Sequence, residues 1–227
     1  MYNENGVIAQ TAKRLSDYMA AHFADYEILF CDDGSTDGCG DTVRALSLPH
    51  VRVVGGAVNY GKGHAVRLAM TEACGDIRVF TDADLAYGVE VVGRIADVFA
   101  ETGADMVIGS RTLHKDGYAG YTPLRKLASK LYLRLLCLVG GFRLSDSQCG
   151  CKAYSGAAAD AIFSRCIVDG FAFDFETILW ANRLGFTVAE MPVKVLCHGA
   201  SKVHMLRDSV KMLCDLAKIK KRIRSAT

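Results

Sequence analysis

Apolar residues recur along this chain at two spacings that take turns. In residues 5–23 (NGVIAQTAKRLSDYMAAHF), Val7, Ile8, Ala12, Leu15 and Met19 fall at helical intervals, which predicts a helix. YEILFC (26–31) then reads as a strand and DDGSTDG as a turn, followed by a short helix over 39–47. VRVVG (51–55), DIRVFT (76–81) and DMVIG (105–109) read as strands, with helices predicted over 61–73 and 89–101 between them. Strands separated by helices imply βαβ units, and hence an α/β domain with a mostly parallel central sheet flanked by helices. After about residue 112 the pattern changes. PLRKLASKLYLRLLCLVGG (123–141) predicts a helix opened by Pro123, apolar on one side and basic on the other. QCGCKAYS reads as a strand, FAFDFETILWANRLG (171–185) as a helix closed by Gly185, and TVAEMPVKVL (187–196) as an edge strand that tolerates Pro192.

A parallel sheet is expected to open on a strand, yet this chain begins MYNENG, a turn that leads into a helix. The expectation is therefore that the first strand is missing and lies upstream. Residues 1–202 are read as one domain and residues 203–227 as a basic amphipathic helix appended to it. In open parallel sheets ligands bind beyond the carboxyl ends of the strands. That directs attention to the polar turns Asp32-Asp33-Gly34-Ser35, Asn59-Tyr60-Gly61-Lys62-Gly63, Asp82-Ala83-Asp84 and Gly109-Ser110-Arg111.

Composition narrows the classes. The chain has 227 residues, 51% of them hydrophobic, enough for one full core. Net charge is only +2, which argues against a general polyanion binder. From Lys202 onward, however, eight Lys or Arg face two Asp, a local excess of +6 that leaves −4 on the rest. A basic tail on an acidic body suggests a surface contact, with membrane or nucleic acid both compatible on charge alone. Nine cysteines, an odd number scattered through apolar runs, argue for reduced thiols in a cytosol. Cys149 and Cys151 have no second pair or nearby histidines that would make a zinc site. His114, His198 and His204 show no metal-ligand spacing, and Trp180 on an apolar helix reads as core. No apolar run reaches the ~18 residues of a spanning helix.

Residues 56–63 nearly spell a phosphate-binding P-loop between a strand and a helix, but Gly63 stands where a magnesium-holding Ser or Thr is required. The alternatives are a glycine-rich turn entering a helix, or a turn whose Lys62 touches a nucleotide without being that motif. Asp82 and Asp84 can cap a turn, or hold Mg²⁺ or Mn²⁺ against a diphosphate. If the strand ending in Asp32 and Asp33 lies beside this one, four carboxylates share one sheet edge. Such crowding is costly without a cation or a hydrogen-bond donor among them.

Taken in order, Tyr2-Asn3-Glu4, Asp32 to Gly38, Asn59-x-Gly61-Lys62-Gly63, Asp82-Ala83-Asp84-Leu85 and Gly109-Ser110-Arg111 resemble the family-2 inverting glycosyltransferases of the GT-A fold. Asp146-Ser147-Gln148-Cys149-Gly150-Cys151-Lys152 resembles the polyprenyl-phosphate sugar transferases, on the dolichyl-phosphate glucosyltransferase side more than the mannosyl side. Phe173-Asp174-x-Glu176 and Gly199-x-Ser201-Lys202 extend the match to nearly the whole chain. The resemblance implies a Rossmann-like GT-A sheet whose first strand ends in a motif that this chain enters at Tyr2. It implies a nucleotide-sugar site of Tyr2, Glu4, Asp33, Lys62, Asp82 and Gln148, with Asp33 accepting from the base. It also implies a metal held by Asp82 and Asp84. Ala86 stands where some relatives place a further Gln ligand, leaving that position to water.

The expected reaction is metal-dependent, inverting transfer of a hexose from a nucleotide diphosphate sugar, UDP-glucose before GDP-mannose, to a polyprenyl phosphate. Asp84, Asp146 and Arg111 are the expected catalytic residues. A lipid phosphate is already anionic and needs cations rather than a strong base, and Arg111, Arg125 and Lys126 are the candidates. Lys126, Lys130 and Arg134 share one helix face, which is either an acceptor site or a solvated basic surface. A hydroxyl acceptor would make Asp146 the general base. Asp174 and Glu176 line a sugar pocket or cap their helix. The expected partners are the donor, the lipid acceptor and a membrane surface met through basic helices, with no nucleic acid. The expected location is cytoplasmic, peripheral on the inner face of the membrane. The rivals are a non-catalytic sugar-nucleotide-binding or membrane-surface protein and, further off, a P-loop-like NTPase.

Overall fold

The alternation read from the sequence is the order of elements in the computed structural model, which describes residues 1–118, 123–196 and 215–223. Helix α1 (Asn5–His22) leads to β1 (Ile28–Asp33), α2 (Cys39–Ala45), β2 (Val51–Gly56), α3 (Lys62–Glu72), β3 (Ile77–Thr81), α4 (Val91–Thr102) and β4 (Met106–Ser110). Then come α5 (Pro123–Gly140), β5 (Cys151–Ser155), α6 (Gly156–Phe163), α7 (Phe173–Arg183) and β6 (Val188–Pro192). Residues 215–223 form a further helix, α8. Helix α6 is the element the periodicity did not announce. It follows β5 without a loop, and Ser155 serves both, ending the strand and capping the helix as its side chain accepts from Ala158 N (3.2 Å).

The strands fall into two groups, β1–β2 and β3–β5–β4–β6. The pairs β1–β2 and β4–β6 are parallel, whereas β5 runs antiparallel to both of its neighbours. Edge strand β6 ends in Pro192, as its sequence suggested. Alongside β1, the Met1 amine donates to Cys31 O (2.5 Å) and Asp33 N donates to Met1 O (3.0 Å). That is the bond pattern of a parallel pair, so residue 1 itself lines β1.

Successive residues of a strand face opposite sides, and in β4 and β5 both sides are covered. Met106, Ile108 and Tyr154 pack with Ile162, Phe173 and Trp180 of the α6–α7 layer. Val107, Cys151 and Ala153 pack with Val91, Ile95 and Met191 on the α4 side. Ile28 and Phe30 of β1 meet Ile8 and Ala12 of α1. In α8, Leu216 and Ile219 are buried against Leu136 of α5 and Phe175 and Leu179 of α7. The expected tail helix is therefore part of the core over this stretch. The expected boundary at 202/203, and with it His198, Gly199, Ser201, Lys202 and His204, lies outside the described residues.

Candidate active site

Three polar turns meet at the carboxyl ends of β1, β2 and β3. The first is fixed by the N-terminal segment. Asn3 N donates to Ser35 Oγ (3.1 Å), Asn3 Oδ1 accepts from Thr36 N (2.8 Å), and Asn5 N donates to Asp37 Oδ2 (2.8 Å). This brings Tyr2 and Glu4 beside the Asp33 turn. The Asp33 carboxylate is buried and accepts from the amides of Tyr60 (3.0 Å) and Gly61 (3.0 Å to Oδ2).

The glycine-rich turn is held from its other side by the loop before α7. Gly63 N (2.7 Å) and His64 N (3.3 Å) donate to Asp169 O. Gly61 has φ +117°, and a Cβ there would overlap Asp169 O, so only glycine fits. Amides that a P-loop would aim at phosphates are thus occupied by Asp33 and Asp169, which removes the P-loop reading. A cleft of about 510 Å³ opens beside this turn, lined by Asp32, Asp33, Gly56, Val58, Tyr60 and His64 among others.

The third turn follows β3. Thr11 Oγ1 of α1 donates to Ala83 O (2.7 Å), Leu85 N donates to Asp82 O (3.0 Å), and Ala86 N donates to Asp84 Oδ1 (3.1 Å). Asp82 accepts from Lys62 Nζ at 2.6 Å. Burial opposes the Lys62 charge, but Asp82 and then Asp174 outweigh it and hold Lys62 above the ordinary lysine range. Asp84 is raised above the usual carboxylate range, first by burial and then by the charges of Asp82 and Glu4. That like-charge strain is the kind a divalent cation relieves. Among the described residues no three His, Cys, Asp or Glu side chains converge on one point. Two carboxylates whose remaining positions are left to phosphate oxygens and water are a donor set that suits Mg²⁺ or Mn²⁺.

Just past the carboxyl end of β4, Arg111 is tied to Asp146. Arg111 Nε and Nη2 donate to the two Asp146 oxygens (2.7 and 2.9 Å), and Arg111 N adds a third bond (3.2 Å). Burial would raise the Asp146 carboxyl, but Arg111 overrides it and leaves it below the usual range. A lowered carboxyl is a poor general base, so this pairing speaks against the hydroxyl-acceptor reading. Glu190 of β6 sets the loop, accepting from Ser145 N (2.9 Å), Ser145 Oγ (2.6 Å) and Asp146 N (3.2 Å). A second pocket, about 270 Å³, is lined by Arg111, Tyr118, Ser129, Lys130, Arg134, Asp146 and Gln148 among others. Lys130 and Arg134 thus face a cavity together with Arg111. Arg125 and Lys126 lie on α5, but their side chains are outside the described residues.

Two expectations from the sequence change. Glu176 neither lines a pocket nor caps its helix. It is fully buried, and its Oε2 accepts from Ile167 N (3.0 Å) and Val168 N (2.9 Å), clamping the loop that carries Asp169. Asp174 receives Lys152 Nζ (2.6 Å), which also donates to Cys149 O (2.8 Å). Lys152 is fully buried in β5, and the sequence reading gives it no role of its own. The available signal was a lysine inside a strand of otherwise apolar and small residues, which needs a buried partner. Gly150 packs against the acidic turn: a Cβ there would overlap Asp82 Oδ2.

The family described as Glycosyl transferase family 2 matches residues 1–163. A dolichyl-phosphate beta-glucosyltransferase of Trichomonas vaginalis is 32% identical over 200 residues, 86% of this chain and 61% of that protein. The dolichyl-phosphate beta-glucosyltransferase of Saccharomyces cerevisiae is 27% identical over 240 residues, 96% of this chain and 72% of that protein. Among solved structures, glucosyl-3-phosphoglycerate synthase from Mycobacterium tuberculosis in complex with UDP superposes with a TM-score of 0.72 at 22% identity. That superposition covers 96% of this chain and 77% of the other, and at such identity it speaks for the GT-A fold alone. With the family match running through every turn of the site up to the Asp146 loop, the chain belongs to glycosyl transferase family 2.

Proposed function

We propose that this chain transfers a hexose from a nucleotide diphosphate sugar to a polyprenyl phosphate with inversion at the anomeric carbon, taking UDP-glucose in preference to GDP-mannose. The observation that carries the proposal is the opposition of two turns. An acidic one, Asp82 to Asp84, is tied to the glycine-rich turn by the Lys62–Asp82 ion pair, and a basic pocket lined by Arg111, Lys130 and Arg134 includes Asp146. The names of the relatives, dolichyl-phosphate beta-glucosyltransferases, support the lipid phosphate and the glucose.

The nucleotide lies by Tyr2, Glu4 and Asp33, with Lys62 and Gln148 toward the diphosphate and sugar. Asp84 and Asp82 would hold Mg²⁺ or Mn²⁺, which neutralises charge on the departing diphosphate when bound. A crystal structure of the mycobacterial synthase with Mn²⁺ and UDP-glucose lends support to that cofactor. The acceptor phosphate sits against Lys130 and Arg134. Arg111 uses two of its five N–H donors on Asp146 and keeps the others for the phosphate. Asp146 positions Arg111 rather than removing a proton, since the acceptor oxygen is already anionic.

The outer face of α5 supports a membrane surface. Leu131 and Leu138 are 68% and 82% exposed and lie on one face with Leu135, next to the row that carries Lys130 and Arg134. Apolar residues at the acyl boundary beside cations at the headgroups suit a helix lying in a bilayer interface. Among the described residues no helix is long and apolar enough to cross a membrane. The proposed location is peripheral, on the cytoplasmic face.

One assay tests the reading. The protein is incubated with Mn²⁺, a polyprenyl phosphate and radiolabelled nucleotide sugars in parallel. Label from UDP-glucose is expected in the organic phase; no label from any donor would overturn the assignment.

A further inference from the structure

Asp82 does not stand as an open carboxylate. Its Oδ1 carries the Lys62 ammonium at 2.6 Å, and its Oδ2 lies where a side chain of Gly150 would begin. Gly150 is itself held, its amide donating to Tyr87 Oη (3.2 Å). One oxygen is therefore backed by protein and the other covered by a cation. The two partners differ in freedom. Gly150 is main chain in a packed loop. Lys62 is a four-carbon stem, and its side chain is one-third exposed. Its backbone is fixed on either side, by the bonds from Gly61 to Asp33 and from Gly63 to Asp169, while its ammonium is held by the charges of Asp82 and Asp174. A stem of that length can carry the ammonium off Asp82 by rotation about its own bonds.

We infer that Lys62 is a resident counter-ion of the metal site, seated on Asp82 until the diphosphate of a donor draws it away and frees that oxygen for the divalent ion. An ammonium within bonding distance of a ligand oxygen repels a doubly charged ion bound to the same oxygen. A diphosphate removes the obstacle, because its oxygens take the ammonium in a charge-assisted bond of similar strength. Metal and nucleotide then enter as a pair, and each raises the affinity for the other by the same factor. The inference rests on the proposed metal role of Asp82 and Asp84.

Mn²⁺ binding, followed by the electron paramagnetic resonance signal of the free ion, tests it without any turnover. The wild-type chain and Lys62→Met are each titrated with and without saturating UDP. The wild type is expected to bind Mn²⁺ at least tenfold more tightly with UDP than alone. Lys62→Met is expected to bind Mn²⁺ alone at least fivefold more tightly than the wild type does, and to gain less from UDP. Circular dichroism checks the fold, and Lys62→Gln serves the same comparison should the Met variant not fold. Wild-type binding that depends on UDP, together with variants that bind Mn²⁺ alone no more tightly, would overturn the counter-ion role and leave the metal site standing. No uptake of Mn²⁺ by either protein, with or without UDP, would overturn both.

Discussion

Asp84 and Asp146 are both carboxylates near one site, and their surroundings push them in opposite directions. Asp84 is raised by burial and by its acidic neighbours, so in the folded protein its charge is unfavourable at neutral pH. Asp84→Ala should therefore leave the melting temperature unchanged or slightly higher, while metal-dependent transfer is lost; full activity in the radiolabel assay would remove Asp84 from the metal site. Asp146 is lowered by Arg111, so its ionised form stabilises the fold. That stability is present above the unfolded pKa of about 3.9 and is lost as pH falls through the lower folded value. Asp146→Asn should cost about 2–3 kcal/mol at pH 7, less than a fully buried pair because Arg111 keeps some access to water. The difference from wild type should shrink as urea unfolding is repeated at pH values below about 4. A difference independent of pH would mean that the ion pair is not its source.

The first turn of α3 works only as part of a larger clamp. Glu176 holds the loop at Ile167 and Val168, that loop presents Asp169 O, and Asp169 O holds the amides of Gly63 and His64. A methyl group at Gly63 would run into Val168 O. Alanine in a helix normally gains about 0.5–1 kcal/mol over glycine, but an overpacked contact with main chain costs about 1–3 kcal/mol. The second effect should win because a carbonyl in a clamped loop cannot step aside. Gly63→Ala is expected to unfold at lower urea and to raise the KM for the donor through its neighbour Lys62. A variant as stable as wild type would show that the loop yields.

At the scale of the whole molecule, the basic pocket and the exposed leucines of α5 share one surface, and the described part of the tail does not join them. Leu216 and Ile219 are turned inward against α5 and α7, so this stretch of the expected membrane helix is committed to packing. Membrane attachment should therefore follow α5. Leu131→Ser with Leu138→Ser is expected to lower cosedimentation with anionic liposomes several-fold while the melting temperature holds, since both side chains are exposed. Unchanged partitioning would move the contact elsewhere.

The hydrophobic periods of this chain determine its run of strands and helices, because burial of one face requires a fixed spacing within each element. They also put Asp33 at the end of one strand, Asp82 and Asp84 just past another, and glycines where the turns need them, all local matters. The family motifs are legible for the same reason, each being a short segment that makes one turn. Partnership is not local. Lys62 meets Asp82 across 20 positions, Lys152 meets Asp174 across 22, Arg111 meets Asp146 across 35, and Glu190 reaches the Asp146 loop across 44. Such pairs depend on which strand ends come to lie side by side and on how the loops between them close. Charge alone left open whether Arg111 and Asp146 meet and whether Glu176 lines a pocket. Only the folded packing, which buries these groups and obliges each to find a partner, decided that Arg111 and Asp146 hold each other and that Glu176 holds a loop.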